Sequence, residues 1–397
     1  MNDKFSEATK LLYQGEDINK QFLDPEAPPL FLTSAFILGD LNQVDKTYKE
    51  KGYTYIRTRN PNRNMLGEAI SFLEQGKRTL ICSSGMAAIT TTFFSLFKSG
   101  DHIVANKNIY GETFDSITKL ISKFGVTATF VDFSDLNAVE KAMQANTKMI
   151  YTEVASNPTD HIADIEALAK IAHKFNALMM VDNTFTTPFA IKPLTLGADI
   201  VISSMTKFLN GHSDALGGSI TVNSDALFEQ IHEMRMLTGT SGAPMTSYLI
   251  YRSLKTADLR IKRQMKNAAA LAKALEENPH VLHVNHPSLP SFSEYETAKK
   301  MFRSGDEITG MLSFEMPNDP EKISAFMDKL ELAHYAPTLG GVRTTLSHPL
   351  HSSHMHVPAE KLKEMGISYG LMRVSVGIED EKDLITDFTN ALKVFDD

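Results

Sequence analysis

Among the 397 residues of this chain there is a single cysteine, Cys82. That excludes an internal disulfide and any metal site built on several thiolates. Long apolar runs are lacking too: no stretch approaches the roughly 20 apolar residues that span a bilayer. The opening MNDKFSEATK has no apolar core of the kind a secretory signal carries. Nor is there an excess of positive charge, since 40 Lys and Arg stand against 48 Asp and Glu, a net −8. That balance argues against nucleic acid or an anionic membrane as partner. Internal repeats, low-complexity tracts and long linkers are missing as well. The expectation is a cytoplasmic protein.

Familiar signatures are also absent. Gly76-Lys77 in EQGKRT mimics the end of a Walker A loop, but the first glycine would fall on Ser71. No Gly-x-Ser-x-Gly elbow occurs. HPLHSSHMH gathers His348, His351, His354 and His356, yet without nearby carboxylates or cysteines an exposed polar loop fits better than a metal site.

What is present is a chain with 42% hydrophobic residues, long enough for two or three domains. Residues 1–60 mix prolines and aromatics without a period, as an extended arm lying over something else would, another subunit included. From about residue 78, short apolar runs (TLIC, HIVAN, TATFVD, KMIYTEV, LMMVD, DIVISS) alternate with amphipathic helical segments. Ile165, Leu168, Ala172 and Phe175 repeat at spacings of three and four, one helical face. This is the pattern of a mostly parallel α/β sheet covered on both sides. A long helix is predicted over 258–278, striped by Ile261, Met265, Ala268, Leu271 and Leu275. Beyond it, strands GMLSFEM and LMRVSVG and helices near 319–330 and 380–394 read as a smaller α+β unit. The expected division is 1–60, 61–255 and 256–397.

Ligands of open α/β sheets gather beyond the carboxyl ends of the strands. This chain places there Ser83-Ser84-Gly85-Met86, Tyr110-Gly111, Glu153 and Asn157, Asp182-Asn183, and Ser204, Thr206 and Lys207. Each has an ordinary reading. Asp182 could cap a turn; SSGMAA could be a plain strand-to-helix connection; Tyr110 could be a packed aromatic; Lys207 could be a solvated lysine; Arg373 could be a structural ion pair. Each also has a chemical one. A carboxylate after a buried strand needs a cationic or hydrogen-bonding partner, such as a protonated pyridine nitrogen. A helix opened by small residues presents amides to a phosphate, with Ser204 and Thr206 as further donors. A flat ring covers a planar cofactor. A desolvated primary amine forms a Schiff base with an aldehyde. An arginine fork within the apolar strand LMRVSVG suits two-point binding. Phosphate cradle, aromatic, aspartate and lysine, in that chain order and each at a strand end, favour the chemical readings together.

The set resembles the Cys/Met-metabolism family of pyridoxal 5′-phosphate (PLP) enzymes, which includes methionine and cystathionine γ-lyases, cystathionine γ-synthase and O-acylhomoserine sulfhydrylases. The likeness runs through PPLFLTSAF, YIRTRNPNRN, SSGMAA, YGETF, ASNPT, VDNTFTTP, SSMTKFLNGHSD, LKTADLR, TLGGV and RVSVGIED. It implies the fold-type I, aspartate aminotransferase-like architecture, with a mostly parallel seven-stranded sheet in the PLP-binding domain. It implies a homotetramer, a dimer of dimers with shared active sites. Lys207 would hold PLP and shuttle protons, and Tyr110 would stack on the ring and assist proton transfer. Asp182 would pair with the ring nitrogen. Ser84, Gly85 and Met86, with Ser204 and Thr206, would hold the phosphate. Tyr55 and Arg57 would reach the neighbouring subunit's phosphate, and Glu153 would support the cofactor from behind. Arg373, Asn157 and Thr338 would bind the carboxylate of an amino-acid substrate. The implied activity is γ- or β-elimination on sulfur amino acids, with γ-replacement as the alternative. Arg59, Glu112, Arg235 and Arg343 depart from the family pattern and suggest a more charged pocket, provided their side chains face it.

Overall fold

The computed structural model describes residues 5–15, 25–302, 304–352, 355, 360, 362 and 366–396. A large sheet is built from β1 (Arg78–Cys82), β2 (His102–Asn106), β3 (Thr127–Val131), β4 (Thr147–Glu153), β5 (Leu178–Asp182), β6 (Ile200–Ser204) and β7 (Gly218–Val222). The strand order is β1-β7-β6-β5-β4-β2-β3. From β3 to β6 all pairings are parallel. β7 alone runs against its neighbours, pairing antiparallel with both β6 and β1. The sequence pattern does not single out β7: GSITV is short and opens on glycine, and both its partners are distant or separated by a loop.

Successive strand side chains point to opposite faces, and both sets are buried. Ile103, Met149, Met180 and Ile202 pack with Phe93 and Ile231, from the helices Gly85–Leu96 and Asp225–Thr238. Val104, Ile150, Val181 and Val201 join Leu66, Leu168 and Ile261, from the helices Pro61–Glu74, Ile165–Lys174 and Ala257–Glu276. This two-sided burial is why the parallel strands read as continuous apolar runs.

The helix Ala257–Glu276 carries the expected stripe, with Ile261, Met265, Ala268, Leu271 and Leu275 all buried. It leads to a second sheet of β8 (His283–Asn285), β9 (Met311–Glu315), β10 (His334–Tyr335), β11 (Thr345–Ser347) and β12 (Leu371–Ser375). The order is β10-β11-β12-β9-β8, with only the β10–β11 pair parallel. The helices Pro320–Lys329 and Glu381–Leu392 cover it, and Phe314, Phe326 and Phe388 meet ring to ring at 5.9 to 6.2 Å.

The first sixty residues are less irregular than their composition implies. They contain the helices Glu7–Tyr13, capped by Ser6, and Leu41–Lys49, capped by Asp40. Leu11 of the first helix reaches the core; in the second, Leu41, Val44 and Tyr48 fall at helical spacing but Leu41 and Tyr48 are exposed, so no core marks that helix as structured. Its caps do.

Candidate active site

Strands β4, β5 and β6 end side by side. Glu153 pairs in register with Asp182, and Asp182 with Ile202. Just past them the chain turns through Ser204, Thr206 and Lys207 before returning as β7. Above these ends lies a cavity of about 450 Å³. Its wall carries Ser84, Gly85, Met86, Tyr110, Glu153, Asn157, Asp182, Ser204, Thr206, Lys207, Thr338 and Arg373. Tyr55 and Arg57 do not line it; both are exposed on the same chain's surface.

At one end sits a donor cradle. Ser84 caps the helix Gly85–Leu96 by accepting from the Ala87 N–H, and its carbonyl accepts from Ala88. The amides of Gly85 and Met86 have no acceptor among the described residues. A Cβ on Gly85 would come within 2.8 Å of the Ser204 Cβ, so only glycine lets the helix start approach β6 this closely. The Thr206 hydroxyl is engaged with Gly217. This end suits a phosphate.

In the middle, Asp182 accepts from the Thr184 amide at 2.9 Å and from the Thr184 hydroxyl. Thr184 also accepts from the Ser204 N–H, tying β5 to β6. No cation pairs with Asp182 among the described residues, and burial pushes its carboxyl up. Glu153 is pushed up as well, first by burial and then by the charge of Asp182. It accepts from the Tyr110 N–H at 2.6 Å and so fixes where that ring begins. A buried carboxylate wanting a positive hydrogen-bond donor fits a protonated pyridine nitrogen. Burial, with Glu112 next, holds the Tyr110 hydroxyl well above the usual phenol range. Lys207 makes no hydrogen bond or ion pair through its amine among the described residues. Burial, then the charge of Arg373, lowers its pKa, against an opposing pull from Glu112.

The far end is cationic. Arg373 in β12 donates from Nη1 to the Asn157 side-chain oxygen at 3.1 Å and from Nη2 to the Thr338 carbonyl at 3.2 Å. Burial lowers its pKa to about 10, and its Nε has no partner. Gly340, at φ +79°, lets the loop from the second sheet pass against the Lys207 backbone, where a Cβ would lie 3.0 Å from Lys207 Cα.

Sequence reasoning missed several participants. Thr184 and Phe185 lie within VDNTFTTP, where only the aspartate drew attention, and Ser352 also lines the cavity. Asp160 is fully buried, and neither carboxylate oxygen has a hydrogen-bond partner. Burial drives its pKa well up, against an opposing pull from Arg373. Nothing in ASNPTD signals that burial.

Of the four departures, only Glu112 faces the cavity. Arg59 and Arg235 line a different one, and Arg343 is exposed. The helix Asp225–Thr238 turns Arg235 inward, where it bonds the Ile81 and Thr58 carbonyls. The histidine segment is corrected in part. His348 is buried, donates from Nε2 to the Tyr369 carbonyl at 2.7 Å and packs on His351. His354 and His356 lie outside the described residues.

A mostly parallel sheet with a cofactor-sized cavity over its carboxyl ends, and a second sheet closing it, defines a PLP-dependent enzyme of fold type I. Within that class the chain belongs to the Cys/Met metabolism PLP-dependent enzymes, whose family model matches residues 8–393. It is 42% identical over 348 residues to a cystathionine gamma-lyase of Bacillus subtilis, covering 88% of this chain and 90% of that protein. It is 39% identical over 372 residues to an L-methionine gamma-lyase of Fusobacterium nucleatum subsp. nucleatum, covering 92% and 93%. Its fold matches the crystal structure of a cystathionine gamma synthase from Xanthomonas oryzae pv. oryzae, in complex with aminoacrylate and cysteine. That match has a TM-score of 0.92 at 31% identity over 99% of both chains.

Proposed function

We propose that the chain is a PLP-dependent carbon–sulfur lyase working in the cytoplasm. It eliminates the γ- (or β-) substituent of sulfur amino acids such as methionine, cystathionine or homocysteine, leaving an α-keto acid, ammonia and a thiol. One observation carries this reading: a single cavity holds an unpaired amine, a half-buried carboxylate without a cation, and a buried guanidinium with a spare donor.

When bound, PLP supplies a conjugated ring that takes up the electron pair left at the substrate's α-carbon. The residues that would hold it are Lys207 at the aldehyde carbon and Asp182 at the ring nitrogen. Tyr110 would lie on the ring face, with Ser84, Gly85, Met86, Ser204 and Thr206 at the phosphate. Glu153 braces Tyr110 through its backbone N–H. Arg373 binds the substrate carboxylate, oriented by Asn157 and by the Thr338 carbonyl. Lys207 Nζ, its basicity lowered by burial and by Arg373, takes the proton from the α-carbon and moves it onward. Tyr110, kept protonated by burial and by Glu112, donates a proton to the departing sulfur. We take residues 61–255 as the cofactor-binding unit and 256–397 as the C-terminal unit, with residues 1–60 reaching across to a neighbour. We assign Tyr55 and Arg57 to the neighbouring subunit's phosphate, in a homotetramer of two dimers. Their exposure, and that of Leu32, Ile37, Leu41 and Tyr48 nearby, supports a covered face.

A second reading is γ-replacement, favoured by the synthase of matching fold. The same residues would serve it. Ammonia and keto acid released from methionine, homocysteine or cystathionine alone, and lost in Lys207→Ala, is the outcome expected for a lyase. Turnover that requires both an O-acylhomoserine and a thiol would overturn elimination in favour of replacement.

A further inference from the structure

A second cavity lies apart from the one above the strand ends. It measures about 540 Å³ and lies between the helix Pro61–Glu74, β1 and the helix Asp225–Thr238. Its wall is crowded with cationic and donor groups: Arg59, Arg63, Lys77, Arg78, His232 and Arg235. Glu68 is the one carboxylate among the described lining residues.

Some of these charges are already matched. Lys77 pairs with Asp225, and Arg78 with Glu229. Arg63 donates from Nη1 and Nη2 to the carbonyls of Gly242, Ile56 and Arg57. Arg235 spends Nη1 on Ile81 and Nη2 on Thr58 and on His232 Nδ1. Donors are left over at Arg235, Arg59 and His232. Arg235 is 3% exposed, and its Nε has no partner. The Arg59 guanidinium has no hydrogen bond or ion pair among the described residues. His232 accepts on Nδ1 from Arg235, so its proton is on Nε2, which also has no partner among them. The charges repel one another in a chain. Burial first, then neighbouring arginines, lowers Arg63, Arg59 and His232, the last to about 4. Glu229 opposes the shift at Arg59 and His232 but is already paired with Lys51 and Arg78; a buried cluster with so little counter-charge is costly unless an anion joins it.

We propose that this cavity binds a small oxyanion or an oxyanion-bearing metabolite, held by Arg59, the Nε of Arg235 and the Nε2–H of His232. The volume admits a metabolite carrying a phosphate or carboxylates, and the apolar walls of Phe72, Leu80 and Phe228 would accept its carbon part. The Arg59 fork supplies two parallel donors of the kind that such groups accept. The occupant also bears on the backbone beside it. Arg235 holds the Thr58 carbonyl, so whatever binds its Nε stiffens the strap that carries Tyr55 and Arg57.

The test uses the holoenzyme with its cofactor fixed by borohydride, so that phosphate cannot compete at the cofactor site. Calorimetric titration with inorganic phosphate, with sulfate and with malonate, against chloride at equal ionic strength, should show one oxyanion site per chain. The ranking of the three ligands separates a phosphate-type from a carboxylate-type occupant. Arg59→Gln, which removes the charge at a half-buried position, should weaken that binding at least about tenfold. Selenate soaked into wild-type crystals should give anomalous signal in this cavity, a readout independent of any variant. Responses no larger than with chloride, equal affinity in Arg59→Gln, or a partner subunit's side chain filling the cavity would each overturn the proposal.

Discussion

Buried acids set the tone at the scale of single residues. Glu74 is 1% exposed beneath Asn183, whose amide it accepts, and burial raises its carboxyl to about 8. The folded state therefore holds a proton there that the unfolded chain has released above its ordinary carboxyl range. Between about pH 4.5 and pH 8 the unfolded state binds fewer protons, so this group's contribution to stability falls as pH rises. Glu74→Gln should raise the unfolding midpoint at pH 8 and leave it nearly unchanged at pH 4.5. A wild-type and variant difference that does not depend on pH would refute the shift. Residues differ in how openly the sequence declares them. Lys207 was legible because a lysine ending an apolar strand contradicts its surroundings, and Asp182 for the same reason. Asp160 and Arg235 were not, because in a sequence a charge within a polar stretch looks the same whether it is buried or solvated.

Elements were legible where one period governs them. The stripe of Ala257–Glu276 and the apolar runs of β2, β4, β5 and β6 declare both their type and their burial. β7 did not, since its identity comes from the two strands that flank it in space. The segment before β10 is another case settled by a contact from outside. Asp387, in the middle of the helix Glu381–Leu392, accepts from the N–H groups of Glu331, Leu332 and Ala333. That carboxylate anchors the loop leading to Thr338 and Gly340. Asp387→Ala should destabilise the protein by roughly 2 kcal/mol, from the loss of charge-assisted bonds to one buried and two part-buried amides. It should also raise KM more than it lowers kcat, because the Thr338 carbonyl that steadies Arg373 follows the anchored segment directly after β10. An unchanged denaturation midpoint together with an unchanged KM would show the anchor to be dispensable.

For the whole molecule, the argument rests on what one chain leaves incomplete. The cavity gathers twelve of the fourteen residues the sequence proposed for it, and Tyr55 and Arg57 are on the outside. If they serve the neighbour, Lys207→Ala and Arg57→Ala subunits should complement each other. A mixed dimer would then hold one site with both residues intact and one with neither. Activity recovered on co-expression, approaching half the wild-type value per mixed dimer, is the expected result. No recovery above the separate variants would assign Arg57 to its own chain. This part of the site was legible only through resemblance, because a residue's distance from another subunit leaves no trace in periodicity or composition.

The reversal of β7 has a mechanical meaning. Lys207 stands in a loop whose two ends are stitched into adjacent strands of one rigid sheet, rather than at the mouth of a helix free to swing. Thr206 and Gly217 cross-link that loop near its base, and Gly340 presses on it from the second sheet. The amine therefore travels on a short leash, moving by rotation of its own side-chain bonds while the backbone beneath it stays put.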